Sequence, residues 1–236
     1  MRRMSSVTAS FPEWATAPIA DACVRLEIPL RLAPPGLRAV TPGAAAAGPV
    51  LPVRHHGSVD VFFEAFEKAS PGDVLVIDNG GRLDEGCIGD LAVLDGRVAG
   101  IAGIVCWGAH RDTAELLQLG VPVFSYGTMP AGPATLRPRP QDALQRAALG
   151  ECIVTAADVA FVDADGAVFV AASDLARVLT VAREIWATER EHSKRAAAGI
   201  SMREQFRFRE YLERRTSDPS YTLRQHLRQH GSSIEE

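Results

Sequence analysis

Apolar residues recur along this chain in two rhythms. Between residues 16 and 26, Ile19, Cys23 and Leu26 fall on one helical face, with Thr16 placed as an N-cap and Pro18 in the first turn. Residues 58–69 repeat the helical spacing, with Val59, Phe62, Phe63 and Phe66 on one stripe. Elsewhere the apolar runs are short and unbroken. Val74-Leu75-Val76-Ile77 lies between Pro71-Gly72-Asp73 and Asp78-Asn79-Gly80-Gly81. It is too short for a helix and reads as a buried strand entering a glycine turn. Residues 101–105 read as a second buried strand. Val121-Pro122-Val123-Phe124 reads as a third, placed at a sheet edge by its proline. Residues 50–53 form a strand weakened by Pro52. Between the strands, a short helix is expected from Gly89 to about Leu94, ending at Asp95-Gly96, and another from Asp112 to Leu119. The order strand, helix, strand, helix, strand is that of an α/β fold.

The chain changes character beyond Met129. Pro130, Pro133, Pro138 and Pro140 exclude a long regular element there. Residues 159–163 and 168–171 flank Asp163-Ala164-Asp165-Gly166, whose Asp-Gly step predicts a hairpin. Residues 175–198 read as one long helix, apolar at Val178, Val181 and Ile185 and increasingly charged towards its end. From Ser201 onwards, mixed charge with interspersed Phe206, Phe208, Tyr211 and Tyr221 predicts a helical appendage rather than core. The expected organisation is an α/β domain over residues 1–172 and a C-terminal helical extension over residues 173–236.

Composition narrows the function classes. With 236 residues, 47% hydrophobic and 23% charged, the chain can bury a core. A formal charge of −4 favours neither nucleic acid nor an acidic membrane surface. No apolar run approaches the roughly 18 residues of a membrane span. The N-terminus turns polar at Ser5, Ser6 and Thr8, without the apolar stretch of a secretory signal. Cys23, Cys87, Cys106 and Cys152 are scattered, suggesting neither a zinc knuckle nor a disulfide framework. A reducing cytoplasm is the expected location.

The chemistry concentrates at Arg111-Asp112, just after a buried strand and at the start of a helix. Residues there face the carboxyl end of the sheet, where ligands bind in open α/β folds. Arg111 offers a planar fork for a carboxylate or oxyanion, and Asp112 a hard oxygen for Mg²⁺ or Mn²⁺. Spacing alone favours the simpler reading, a surface arginine beside a helix-capping aspartate, with Glu115 completing the cap. Asp90, after Gly89, has the same two readings, and Gly86 and Gly89 allow backbone amides to approach a ligand or simply make a turn. Adjacent residues of a strand point to opposite faces, so His55 and His56 make an improbable joint metal site. His110 reads as structural, and neither Cys87 nor Cys106 has a base partner that would make it a nucleophile. The chain carries no P-loop, nucleophile elbow or dinucleotide-type glycine pattern.

Together these residues resemble the family that holds the regulator of ribonuclease activity A and the 4-hydroxy-4-methyl-2-oxoglutarate / 4-carboxy-4-hydroxy-2-oxoadipate aldolases. The resemblance spans about residues 15–200. It is carried by Asp90, twenty intervening residues, and then Arg111-Asp112-Thr113-Ala114-Glu115. Gly72 to Asp78, Val121 to Phe124 and Asp163 to Val168 resemble flanking segments of the family. The resemblance implies a swivelling β/β/α-type sandwich, assembled as a homotrimer or homohexamer with its site at a subunit boundary. It implies a class II pyruvate aldolase acting on a 4-hydroxy-2-keto di- or tricarboxylic acid, with possible oxaloacetate decarboxylase activity. In that scheme Asp112 anchors Mg²⁺ or Mn²⁺ and Arg111 holds the keto oxygen. Amides of Gly86, Cys87, Ile88 and Gly89 bind the substrate carboxylate, and Asp90 orients a water. Glu189 or Glu191 from a neighbouring subunit is implied to complete the site. The substrate is then a small 2-keto acid, with no nucleic-acid or membrane partner. The alternative within the family is a non-catalytic regulator that binds a ribonuclease or helicase. Two features depart from the pattern. Trp107-Gly108-Ala109-His110 precedes Arg111 where the family has an Asp-Gly step, and is expected to reshape the pocket. The chain after Gly199 is longer than in the regulators, which leans towards the enzymes.

Overall fold

The computed structural model describes residue 12 and residues 15–230; Ser5, Ser6 and Thr8 lie outside the described residues. The chain divides into two units, one of residues 13–17 and 30–176, the other containing residues 18–29 and the chain from Arg177 onwards. The first helix, α1 (Thr16–Arg25), begins in the larger unit. There the Thr16 amide and hydroxyl donate to the Asp163 carboxylate at 2.9 and 2.7 Å.

The larger unit is built on one eight-stranded sheet. In chain order it contains β1 (Arg38–Ala39), β2 (Ala46–Arg54), helix α2 (Asp60–Phe66), β3 (Val74–Ile88), helix α3 (Asp90–Val98) and β4 (Gly103–His110). Helix α4 (Thr113–Leu119), β5 (Val123–Ser125), β6 (Gly127–Thr128), a separate hairpin β7 (Arg146–Leu149) and β8 (Cys152–Thr155), and the hairpin β9 (Asp158–Asp163) and β10 (Gly166–Ala171) follow. The order across the sheet is β1-β5-β4-β3-β2-β9-β10, with β6 added to β4. Strands β2 to β5 pair in parallel, and the outer pairs are antiparallel.

Strand alternation explains the layers. Leu75, Ile77, Ile104 and Cys106 face one core with Val61, Phe62 and Phe66 of α2, Val93 of α3 and Leu116 of α4. Val74, Val76, Val105 and Phe124, one residue out of step, face a second core. Both sheet faces are covered, which is why these strands read as unbroken apolar runs. The second core also holds Ala160, Val162 and Phe169 from β9 and β10 of the same sheet, so the sheet curls on itself as a half-barrel. Ala147, Leu149 and Val154 of the β7–β8 hairpin join that core. The result is the mixed α/β architecture, with C-terminal helices, that the sequence predicts.

Several elements differ from their sequence reading. Strand β3 runs for 15 residues, through the expected glycine turn, with register shifts against β4 beyond Asp78. Helix α3 continues past Asp95-Gly96, with Gly96 buried. Strand β4 runs from Gly103 to His110, five residues beyond the expected end at residue 105. Strand β5 lies between β4 and β1 and is not an edge. Pro52 is accommodated inside β2 because pairing with β9 ends at Pro49, leaving β2 one partner at that level. The β7–β8 hairpin was not foreseen; its turn lies at Gly150-Glu151. In α2 the buried face is Val61, Phe62, Ala65 and Phe66, whereas Val59 and Phe63 are each 47% exposed. The expected four-residue stripe therefore spans two faces. The β9–β10 hairpin and the long helix α5 (Leu175–Ala197) match their expectations closely.

In the smaller unit, α5 is followed by α6 (Met202–Gln205), α7 (Phe208–Ser217) and α8 (Leu223–Gln229). Capping boxes start α6 (Ser201 with Glu204) and α8 (Thr222 with Gln225). Tyr211, Tyr221 and His226 are buried, so this segment has an aromatic core of its own. Among the described residues no helix is long and apolar enough to cross a membrane.

Candidate active site

The twenty residues between Asp90 and Arg111 correspond to one crossover. Strand β3 ends at Ile88, helix α3 returns the chain, and β4 runs parallel beside β3 with Ile88 in register with His110. The residues after each strand, Gly89-Asp90 and Arg111-Asp112, therefore emerge side by side at the carboxyl edge of the sheet. The Arg111 amide donates to Ile88 O at 2.9 Å and locks the two exits together.

Asp112 is the pivot. It occupies the N-cap position of α4 with φ 58° and ψ 42°, a left-handed conformation that aspartate tolerates better than most residues. Its side chain makes no capping hydrogen bond. Oδ2 instead lies 3.3 Å from Arg111 Nε and accepts from the Asp90 amide, also at 3.3 Å. Asp112 Oδ1 has no partner among the described residues. Gly89 permits this approach: a Cβ there would lie 2.1 Å from Asp112 Oδ2 and 3.1 Å from Arg111 Nε. Asp90 is the first residue of α3, and its Oδ1 accepts from the Leu91 amide at 2.7 Å.

A pocket of about 280 Å³ opens beside this pair. The strand end and helix start from Gly86 to Ala92 line it, with Arg111 and Pro133. Val59, the N-cap of α2, forms another wall with Phe62 and Phe63 of that helix, and His55 contributes a ring. Gly86, Cys87 and Ile88 belong to β3 rather than to a loop, and the Gly86 amide is committed to Ala131 O at 2.8 Å. Trp107 and His110 are not among the lining residues. Trp107 packs edge-on against Tyr126, with ring centroids 4.4 Å apart. His110 is buried, sharing Nδ1 with Ser125 Oγ at 2.7 Å and Nε2 with Thr113 Oγ1 at 2.9 Å. Ser125 donates onward to Gly127 O, so Nδ1 carries the His110 proton. Burial holds the His110 pKa below its ordinary value, as it does for His55.

The cysteines are distant in sequence, yet Cys87 and Cys106 face each other across β3 and β4 with Sγ atoms 3.2 Å apart. The hydrogen bond shared with Cys106 and burial push the Cys87 thiol well up, which suits an inert buried pair. Glu189 and Glu191 belong to α5 in the smaller unit. The sequence reading missed the contributions of Val59, Phe63 and Pro133. Val59 and Phe63 share a helical period with core residues and so read as core, and Pro133 lies in a proline-rich segment without a period.

Among the described residues, no three His, Cys, Asp or Glu side chains cluster as a metal cage. A single free carboxylate oxygen on Asp112, with Asp90 adjacent, suits a hard ion that retains most of its waters. It does not suit zinc, which takes three or four protein ligands.

Fold and site together define a mixed α/β protein with an acidic, arginine-bearing edge at two parallel strand ends. The family model described as RraA-like (Aldolase/RraA) matches residues 16–169, and the chain belongs to that family. A relative from Vibrio parahaemolyticus, provisionally named a 4-hydroxy-4-methyl-2-oxoglutarate aldolase, is 31% identical over 35% of this chain; the match spans 52% of that relative, about half its length. One of the same provisional name from Alkalilimnicola ehrlichii is 33% identical over 45% of this chain and 67% of its own. Among solved structures, Streptomyces coelicolor RraAS2 is described as an unusual member of the RNase ES inhibitor RraA protein family. It superposes with a TM-score of 0.65 at 27% identity, covering 77% of this chain and 91% of that one.

Proposed function

We propose that this chain is a divalent-metal-dependent class II pyruvate aldolase. It cleaves a 4-hydroxy-2-keto acid to pyruvate and a second carbonyl compound, and decarboxylates oxaloacetate through the same pyruvate enolate. The observation that carries the proposal is the sharing of one Asp112 oxygen between Arg111 and the Asp90 amide at adjoining strand ends. That contact orients a cation and a carboxylate together, where a simple cap would turn the carboxylate onto its own helix.

Asp112 holds Mg²⁺ or Mn²⁺ in this reading, and the bound ion supplies Lewis acidity towards the 2-keto acid. Arg111 donates to the C2 oxygen as negative charge develops there. In this reading the substrate carboxylate meets the amide of Gly89 beyond the end of β3, since that of Gly86 is engaged with Ala131 O and Ile88 is paired in the sheet with β4. Asp90, through water, returns a proton to C3. Assembly as a homotrimer or homohexamer would bring Glu189 or Glu191 of another copy towards the site.

The test is pyruvate release from oxaloacetate and from a panel of 4-hydroxy-2-keto acids. Release is expected with Mg²⁺ or Mn²⁺ and not with EDTA. Asp112→Ala should lose at least about 10²-fold in kcat, the scale of a lost oxyanion-stabilising group. The rival reading, a non-catalytic regulator of a ribonuclease or helicase, draws on the Streptomyces neighbour's description. It predicts no metal-dependent release from any of these acids.

A further inference from the structure

The pocket beside Arg111 is unequal in its two halves. One half is polar, made of the strand-end backbone, Asp90 and Arg111. The other is made of Val59, Phe62 and Phe63 from α2 and its N-cap, with Leu91 and Pro133. Phe62 is a core residue, 1% exposed, but Val59 and Phe63 are each 47% exposed and Leu91 is 75% exposed. Helix α2 buries Val61, Phe62, Ala65 and Phe66 to hold its place, so Val59 and Phe63 are not required for its packing. They present an apolar surface to the pocket instead.

The charge inventory points the same way. Arg111 is the one lysine or arginine among the lining residues, and the proposed chemistry commits it to the pyruvyl oxygen. His55 is tied through Nδ1 to Asn79 Oδ1 at 2.9 Å and stacked on Phe62 at 5.2 Å, and burial favours its neutral form. Among this chain's own lining residues, a second carboxylate on the substrate would meet Asp90 and aromatic carbon, with no further arginine or lysine to offset its desolvation.

We propose that the half of the substrate remote from the pyruvyl group is neutral and apolar, an alkyl or aryl substituent at C4, in place of the second carboxylate that the family resemblance implies. The inference rests on the enolate reading above and names its substrate class. The C3–C4 bond of R–CH(OH)–CH₂–CO–COO⁻ breaks with its electron pair passing to C3. The C4 hydroxyl loses its proton and becomes the carbonyl of the aldehyde R–CHO. C3 takes up one proton to give pyruvate, so the reaction needs no oxidant or reductant.

The experiment titrates the full-length protein, with Mg²⁺ present, with two 2-keto acids that lack the C4 hydroxyl and cannot be cleaved. One is 2-oxo-4-phenylbutyrate and the other is 2-oxoglutarate. Calorimetry is expected to show the phenyl compound binding at least about tenfold more tightly, and Phe63→Arg is expected to reverse the order. Cleavage should follow the same preference, with the aryl- or alkyl-substituted 4-hydroxy-2-keto acids turned over in preference to carboxylated ones. Equal or tighter binding of 2-oxoglutarate by the unaltered protein overturns the inference. So does failure of the phenyl compound to bind while oxaloacetate is decarboxylated. If neither acid binds and oxaloacetate is not decarboxylated, the enolate reading itself fails.

Discussion

At the scale of single residues, the informative departure is Asp112. Spacing left it open between a helix cap and a ligand, and its carboxylate makes no cap bond. It turns back to Arg111 and Asp90, with Gly89 clearing the space. The buried histidines make the clearest statement about pH. Burial lowers the folded-state pKa of both His55 and His110 from an ordinary value of 6.5. The unfolded chain therefore takes up these protons first. Stability is full above about pH 6.5 and falls as pH drops below it, towards the lower folded-state values. Thermal unfolding at pH 7.5 and 5.5 checks this, with a lower midpoint expected at pH 5.5; equal midpoints contradict it. Carboxylates such as Asp142, held down by hydrogen bonds from Arg146 and Arg54, lose their contribution only below about 3.8, so the two windows separate. At this scale Asp90, Arg111 and Asp112 were legible because a fixed crossover fixes their spacing. The exchange of one carboxylate oxygen between them was not, because it depends on a backbone conformation that no pattern encodes.

At the scale of elements, helix α2 shows how a hydrophobic pattern misleads. Val59, Phe62, Phe63 and Phe66 recur at helical intervals, yet Phe62 and Phe63 are neighbours and cannot share one narrow face. The helix buries Phe62 and leaves Phe63 at the pocket. Phe62→Ala should accordingly cost about 3–5 kcal/mol in a denaturant titration, as expected for emptying a core aromatic site. Phe63→Ala should stay within about 1 kcal/mol of the parent. Similar losses for both would contradict the assignment of faces. Short buried strands were well read, because runs such as Val74 to Ile77 bury both sheet faces. Their ends were not. Strand β3 continues through Gly80 and Gly81 because both adopt positive φ (65° and 70°) while the chain stays associated with β4 through shifted registers. The β7–β8 hairpin escaped notice because its strands are four residues each, too short to establish alternation against the proline-rich stretch before them.

At the scale of the whole molecule, the curled sheet places two consecutive parallel strand ends, β3 and β4, at one edge, and the chemistry-bearing residues follow from that topology. The mixed α/β class was legible from the order of short apolar runs and helices. The closing of β9 and β10 over the same core was not, since it arises from contacts between residues about a hundred positions apart. Membership of the RraA-like family joins this architecture to relatives of two kinds, provisional aldolases and a member of a ribonuclease-inhibitor family. The central claim is that Arg111 and Asp112 stabilise a pyruvate enolate, whatever substrate delivers it. The most direct measurement is exchange of the pyruvate methyl protons in D₂O, followed by proton NMR. Mg²⁺-dependent loss of the methyl signal is expected with the parent protein, abolished by EDTA and reduced at least about 10²-fold in Asp112→Asn. Exchange no faster than in buffer, or exchange unaffected by EDTA and by Asp112→Asn, would contradict it.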